Sequence, residues 1–365
     1  MLGLYLLIGS LLINLFIFFI GKKSNIFATI QIIILWFISV FSYDVTDYAN
    51  YLSYYHKVQN GIDTSSIEVG YKFINLVLSC LGFDFQIARG IIITFSILLF
   101  IFAFKKIGGS PNFVSTCFTL YPLFIDIIQL RTLLATAVLT IGIVYFLNEK
   151  KYITYIIYVL IASSIHISFG LYLIFILNEK FLLKKRQKNV AMTTGALGCL
   201  VFFLANRQLP FLNIILSLLG KQEKYSMWLT LSGKLGFLIF VTLVLLSIII
   251  MKKISENTVY KREYVNLVYR LNIISIWFIP FTMLASTFGR LISNLCLINY
   301  LAWQAQYFDM MDAGVKRGKI PKYRLTVYLC IVMYIFIWIW FEIIPEFDTR
   351  IMPFFQNNYI FGVNR

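Results

Sequence analysis

Two arginines sit where the sequence offers them almost no water. Arg131 ends the run Ile125-Asp126-Ile127-Ile128-Gln129-Leu130-Arg131, and Arg290 follows Phe288-Gly289 and precedes Leu291-Ile292-Ser293-Asn294. Ionisable groups between apolar runs are expensive, and in membrane segments they mark function by default. A guanidinium presents a planar fork of donors that matches phosphate oxygens, so both arginines are candidate phosphate-binding residues. The alternative is structural pairing, Arg131 with Asp126 or Glu68 and Arg290 with Glu342. His166 lies between Ser164 and Ser168 in a polar interruption of an apolar run. An imidazole titrates near pH ~6.5, which suits a general base or proton relay. A buried histidine satisfied by a neighbouring carbonyl is the other reading.

Further polar residues gather in two segments. Glu68-Val69-Gly70-Tyr71 opens a short apolar stretch. Its glutamate could favour a helix N-terminus or do chemistry, and Gly70 permits close backbone approach. The stretch from Ser42 to His56 holds Asp44, Asp47, Tyr48 and Tyr51. If helical, these four lie on one face, at i, i+3, i+4 and i+7. Carboxylates beside tyrosines suit sugars, accepting from hydroxyls and offering ring faces to C–H groups. Solvated acids within an interfacial aromatic belt would look the same. Gln129, with Asp126, flanks the tight turn at Arg131. The tail Ile351 to Tyr359 could cap an outer cavity or form a loose end.

The elements that must carry these residues are membrane spans. The 365 residues are 60% hydrophobic and only 13% charged, with mean hydropathy +0.81. Soluble domains carry roughly 25% charge, so a soluble class is excluded. Apolar runs near the ~20 residues a spanning helix needs occur at about 2–20, 26–43, 86–104, 112–130, 131–147, 190–205, 231–251, 272–289, 290–308 and 325–344. The fold class is therefore an all-α polytopic membrane protein with about 10–12 transmembrane helices plus re-entrant or amphipathic segments. The whole chain, 1–365, reads as one integral membrane domain. Five cysteines without a CxxC read as small buried residues rather than a disulfide or metal framework. Two histidines leave no His-rich metal site.

Charge orients the chain. Of the 32 Lys and Arg residues, 21 fall in six short stretches: Lys22–Lys23, Lys105–Lys106, Lys150–Lys151, Lys180 to Lys188, Lys252 to Arg270, and Lys316 to Arg324. Only 6 of the 16 acids accompany them, so nearly all of the net +16 lies on one side. That is the positive-inside pattern, and it accounts for the basic balance without nucleic acid. Lys22–Lys23 follow the first run, which reads as a retained span with its N-terminus outside. The outer side then holds loops at about 44–66 and 206–230, tight turns near Arg131 and Arg290, and the tail 345–365. Residues 67–83 are too short and polar to cross, and read as an amphipathic or re-entrant helix. Residues 152–177 resemble one long span, yet a single crossing would put Lys180 to Lys188 outside. Two half-helices meeting at His166 would restore the charge rule. At ~1.5 Å per residue neither half spans a ~30 Å core. Such a break is tolerated only inside protein or beside a wet cavity. A single tilted helix that violates the charge rule is the alternative.

Taken in order, Asp47-Tyr48…Tyr51, Glu68-x-Gly70-Tyr71, Gln129-x-Arg131-x-x-x-Ala135, His166-x-Ser168 and Phe288-x-Arg290 with Asn299-Tyr300 resemble the EpsG-like branch of Wzy-type bacterial polysaccharide polymerases. The resemblance covers roughly residues 40–305. It implies a glycosyltransferase with a GT-C-like fold in the bacterial cytoplasmic membrane. Such an enzyme moves a growing glycan from undecaprenyl diphosphate to a hydroxyl of the next lipid-linked repeat unit, at the outer face. On this reading Arg131 and Arg290 stabilise the leaving diphosphate, and His166, Glu68 or Asp47 serves as base, the three remaining open. Asp44, Tyr48, Tyr51 and Gln129 would face the acceptor sugar. With arginines as the clamp, no metal or other cofactor is expected. A chain-length regulator is the partner such systems imply. Two other classes stand beside this one. A lipid-linked sugar flippase would want polar residues open to both faces, whereas here they cluster outward, and no internal repeat supports an inverted-repeat transporter. A membrane O-acyltransferase would also use an embedded histidine, but no His–acid pairing lies on the cytoplasmic side.

Overall fold

Capping residues at several helix starts follow the sequence signals closely. The computed structural model describes residues 2–20, 22–62, 64, 67–178, 184–205, 234–258, 261–283, 286–305 and 322–362. Among these the regular structure is helical, apart from one isolated antiparallel bridge between Ser42 and Asn358. In the first part of the chain the helices are α1 (Leu2–Phe19), α2 (Asn25–Val40), α3 (Tyr48–Gln59), α4 (Val69–Cys80), α5 (Phe85–Ile107), α6 (Pro111–Leu120), α7 (Leu123–Ile128), α8 (Leu130–Leu147) and α9 (Tyr152–Ile165). Ser24 caps α2, and Asp84 caps α5 by accepting from the Ile87 amide at 2.8 Å. Ser110 caps α6 with Pro111 in the first helical turn. These side chains satisfy amides that a helix start leaves without partners. Lys105 and Lys106 occupy the last turn of α5, where cations suit the helix dipole, and Gly108 ends it at φ +73°.

Contacts divide the described chain into two compact units, residues 1–173 with 338–365, and residues 174–337. In the first unit α8 is the central helix, with nearly every residue from Leu130 to Leu147 buried. It packs along α5 on one side and α9 on another. Ala135 and Ala137 let neighbours approach closely. At Gly142 a Cβ would come within 3.0 Å of Tyr158 on α9. Polar side chains weld α1, α2 and α6. Asn112 donates to Asn14 at 2.5 Å and Gln31 donates to Thr119 at 2.8 Å, all four buried.

The second unit holds α10 (Lys185–Ala205), α11 (Lys234–Asn257), α12 (Arg262–Ser275), α13 (Arg290–Ser293), α14 (Cys296–Trp303) and α15 (Lys322–Trp338). Its core contains a small amide cluster, with Asn272 donating to Asn299 at 2.7 Å and Asn299 to Ser247 at 3.2 Å.

Among the described residues six helices are long and apolar enough to cross a membrane: Leu2–Phe19, Phe85–Ile107, Leu130–Leu147, Leu235–Asn257, Arg262–Thr282 and Leu325–Gln356. The chain is an all-α polytopic membrane protein. Four further apolar helices are shorter. The run 112–130 divides into α6 and α7 around Pro122, because proline cannot donate within a helix. The run placed at 272–289 starts ten residues earlier, since Tyr264, Val265, Leu267, Val268 and Leu271 carry a buried stripe through the basic stretch. The run 325–344 continues helically to Gln356 through π and 3-10 turns that accommodate Pro345. Part of the tail placed at 345–365 is therefore helix. The loop 206–230 lies outside the described residues. Cys80, the last residue of α4, is exposed rather than buried.

Candidate functional site

The loop between α2 and α3 begins where α2 stops, and that stop is fixed by side chains from elsewhere. The last carbonyls of a helix have no partner within it. Here Arg89 on α5 donates to Ser39 O at 2.9 Å and Ser42 O at 2.8 Å, and Gln86 donates to Val40 O at 2.7 Å. Asn358 donates to Ile38 O at 3.0 Å. Arg89 is 1% exposed. It was not among the residues singled out from sequence, because it falls inside an apolar run and its partners are carbonyls rather than an acid. The C-terminal arm closes over this region: Tyr43 donates to Asn357 O at 2.8 Å, Thr46 to Thr349 O at 2.8 Å, and the rings of Tyr43 and Tyr359 meet at 4.6 Å.

The four-residue face expected for Asp44, Asp47, Tyr48 and Tyr51 does not form. Asp44 and Asp47 take left-handed conformations, at φ +47° and +62°, so α3 starts only at Tyr48. Aspartate tolerates that region better than most residues. Asp44 is exposed, with its carbonyl accepting from Asn357, and Asp47 accepts from Asn50 at 3.3 Å. Tyr48 turns toward α5: its hydroxyl donates to Gln86 at 3.0 Å and its ring meets Phe85 at 5.0 Å. Tyr51, Tyr55 and Val58 form the buried stripe of α3. Burial pushes the Tyr51 hydroxyl above the ordinary tyrosine range, with nearby Arg131 pulling the other way. The hydroxyl thus stays protonated and able to donate.

Three of the predicted residues come together behind α3. Glu68 occupies the N-cap position of α4 but makes no capping bond. Its carboxylate instead forms an ion pair with Arg131, in the first turn of α8. Gln129, itself buried, is the break between α7 and α8 that brings Arg131 to the helix start. The guanidinium lies 5.9 Å from the ring centre of Tyr51 and 5.6 Å from that of Tyr54, within cation–π range. Tyr71 closes the back, its ring 5.9 Å from Tyr51. Tyr54 is a member of this group that sequence reasoning passed over. Its spacing of three from Tyr51 was the available signal.

His166 joins the same neighbourhood through Gly70. A Cβ on Gly70 would meet Ser164 Oγ at 2.3 Å and the Ser164 carbonyl at 2.9 Å, so α4 and the end of α9 touch backbone to backbone. His166 lies two residues beyond Ser164, extended at φ −147°, with Nδ1 2.9 Å from Ser168 Oγ. There the chain folds back. The Tyr155 hydroxyl donates to Tyr172 O at 2.8 Å, whereas a continuous helix would hold them about 25 Å apart. The two arms are a 14-residue α-helix and a 10-residue 3-10 helix. Arg290 belongs to the second unit, as the half-buried first residue of α13. Gly289 before it admits no side chain, because a Cβ would fall 2.1 Å from the Phe240 ring. Among the described residues no three His, Cys, Asp or Glu side chains are grouped to hold a metal ion.

The site thus joins an arginine flanked by tyrosines to a glutamate, in a polytopic helical protein. The chain belongs to the EpsG family, whose sequence profile matches residues 25–355, a family of Wzy-like polysaccharide polymerases. The match runs from the first residue of α2 into the C-terminal arm. No curated protein and no solved structure matches the chain.

Proposed function

We propose that this polysaccharide-polymerase relative uses undecaprenyl diphosphate as the carrier of its donor glycan and works at the outer face of the bacterial cytoplasmic membrane. The observation that carries this reading is the Arg131 cluster: a half-buried cation with aromatic rings and a carboxylate around it. In the reaction, the bond between the donor's reducing-end carbon and its phosphate oxygen breaks. The diphosphate leaves with the electron pair, and an acceptor hydroxyl oxygen bonds to the same carbon and loses its proton to a base. Arg131 meets the charge that grows on the leaving diphosphate, an effect that is large where water is scarce. Arg290 is proposed, on residue chemistry alone, as a further phosphate ligand.

Three groups compete for the base. Glu68 is held by Arg131, and Asp47 accepts from Asn50. His166 has a hydroxyl beside Nδ1 that can fix its tautomer. This favours His166 as base. Tyr51, Tyr54 and Gln129 then contribute the acceptor surface, with Asp44 and Tyr48 shaping its rim. A GT-C-like fold, a chain-length regulator as partner, and both termini outside complete the reading.

The test is the size of lipid-linked glycan in cells carrying Arg131→Ala, His166→Ala or Arg290→Ala, with membrane levels of each protein measured. Single repeat units on lipid at normal protein levels are expected, with polymer reduced at least about 100-fold for Arg131→Ala and His166→Ala, in line with lost electrostatic or acid–base catalysis. Unchanged polymer in all three variants would overturn the site. Arrested export would indicate a flippase, and altered acylation at unchanged length an acyltransferase.

A further inference from the structure

We propose that Glu68 is a latch on the phosphate site: its carboxylate holds the reactive edge of Arg131 until a diphosphate displaces it. This inference rests on the diphosphate reading above. A guanidinium donates only from its edges, since its faces carry no N–H. The rings of Tyr51 and Tyr54 stand 5.9 and 5.6 Å from the Arg131 guanidinium carbon. Those contacts limit its approaches, and the Nη1 donor is taken by Glu68. The buried Nε has no partner. Glu68 holds one of the two Nη1 hydrogens, so an anion drawn to the Nη1 edge meets the carboxylate's negative charge there and must displace it to bind.

The pair is built to open. Its two side chains are 21% and 20% exposed, so it is neither sealed in a core nor fully in water. Glu68 sits at the N-cap of α4 without bonding to it. The start of α4 is a second favourable place for a carboxylate, next to first-turn amides and the positive end of the helix dipole. The side chain thus has two resting positions within reach. A diphosphate brings more negative charge to the guanidinium than one carboxylate does, and it repels the carboxylate it replaces. Donor binding then both fills the Arg131 site and moves Glu68 to the start of α4, where the first-turn amides hold it. The apparent affinity for donor is reduced by the fraction of time the latch is closed.

The latch predicts a gain of binding on removing a charge. Purified protein in nanodiscs would be titrated with inorganic pyrophosphate and, separately, with undecaprenyl diphosphate, for wild type, Glu68→Gln, Glu68→Asp and Arg131→Gln. Thermal melting of each variant would confirm that it folds. Glu68→Gln should tighten both ligands about tenfold, or ~1.4 kcal/mol. Glu68→Asp, a carboxylate with shorter reach, should fall between that variant and wild type. Arg131→Gln should lose at least tenfold. Tightening for the lipid ligand alone would still support the latch, and would assign the site to lipid-borne diphosphate. Unchanged or weaker binding in Glu68→Gln, with Arg131→Gln impaired, would overturn the latch and leave the diphosphate site standing. Wild-type binding in Arg131→Gln would overturn both. If Glu68→Gln does not fold, Glu68→Asp decides: tighter binding supports the latch, and equal or weaker binding overturns it.

Discussion

Gly70 shows how much of the candidate site depends on a single missing atom. Its Cα faces the Ser164 backbone, and a methyl there would lie 2.9 Å from the Ser164 carbonyl. A backbone contact cannot yield as the end of a flexible side chain can. Gly70→Ala should therefore push α4 away from α9, with an overpacking cost of about 1–3 kcal/mol. The same push would move Glu68 away from His166 and strain its pair with Arg131. The expected outcome is a lowered melting temperature in detergent, and a loss of polymer larger than the loss of protein from the membrane. Melting equal to wild type would show that the contact is looser than described. Residues of this kind were partly legible in the sequence. Glu68, Arg131 and His166 stand out because ionisable groups interrupt apolar runs, and the Arg131–Glu68 pair was one of two structural partnerships considered. Tyr54 was only weakly legible, because its spacing of three from Tyr51 is one of several tyrosine spacings in α3 and gains meaning only with Arg131 beside it.

At the scale of elements, the position of the loop between α2 and α3 is set by Arg89. It carries a positive charge into the interior for the sake of two carbonyls and one hydroxyl, Ser39 O, Ser42 O and Ser42 Oγ. Hydrogen bonds to a charged group contribute about 1.5–3 kcal/mol, and orphaned buried acceptors add a further penalty. Arg89→Leu should lower stability by at least about 2 kcal/mol, measured by denaturation in detergent. Asn358→Ala removes the bond to Ile38 O at the same helix end. The two substitutions should be non-additive by about 0.5 kcal/mol or more, because they act on one carbonyl cluster. Strict additivity would mean that the C-terminal arm and α5 hold α2 independently. The sequence hid this arrangement for a physical reason. Periodicity reports which face of a helix is apolar, whereas Arg89 and Asn358 act on residues about 50 and 320 positions away. The reversal at His166 was visible, because a polar cluster in mid-run and the charge rule both called for it. The start of α3 was not, because Asp44 and Asp47 spend their side-chain tolerance on left-handed turns instead of joining the helix.

For the whole molecule the question is which side each loop faces, and the distribution of charge makes a definite prediction. Lys106 and Lys151 both bind Glu149, at 2.5 and 2.8 Å, and hold its carboxyl down to about 2. Because that value is depressed, the clamp is lost only as pH falls through the region of 2, so it persists at any pH a cell maintains. It ties the end of α5 to the loop after α8, and both carry the basic residues that the positive-inside rule places in the cytoplasm. If the reversal at His166 is a re-entrant hairpin, as the charge rule requires, Lys150 and Arg186 should share one compartment, opposite to Gly61 after α3. Replacing the five native cysteines and introducing Gly61→Cys, Lys150→Cys or Arg186→Cys one at a time, a membrane-impermeant maleimide should label the first in intact cells. The other two should label only after permeabilisation. Labelling of Arg186→Cys from outside, with Lys150→Cys protected, would mean that residues 152–177 cross the membrane despite their fold-back. It would also place five basic residues, Lys180 to Lys188, against the charge rule. His166 would then sit within a crossing rather than at the tip of a re-entrant hairpin, and a proton taken from an outer acceptor would need a relay to reach it.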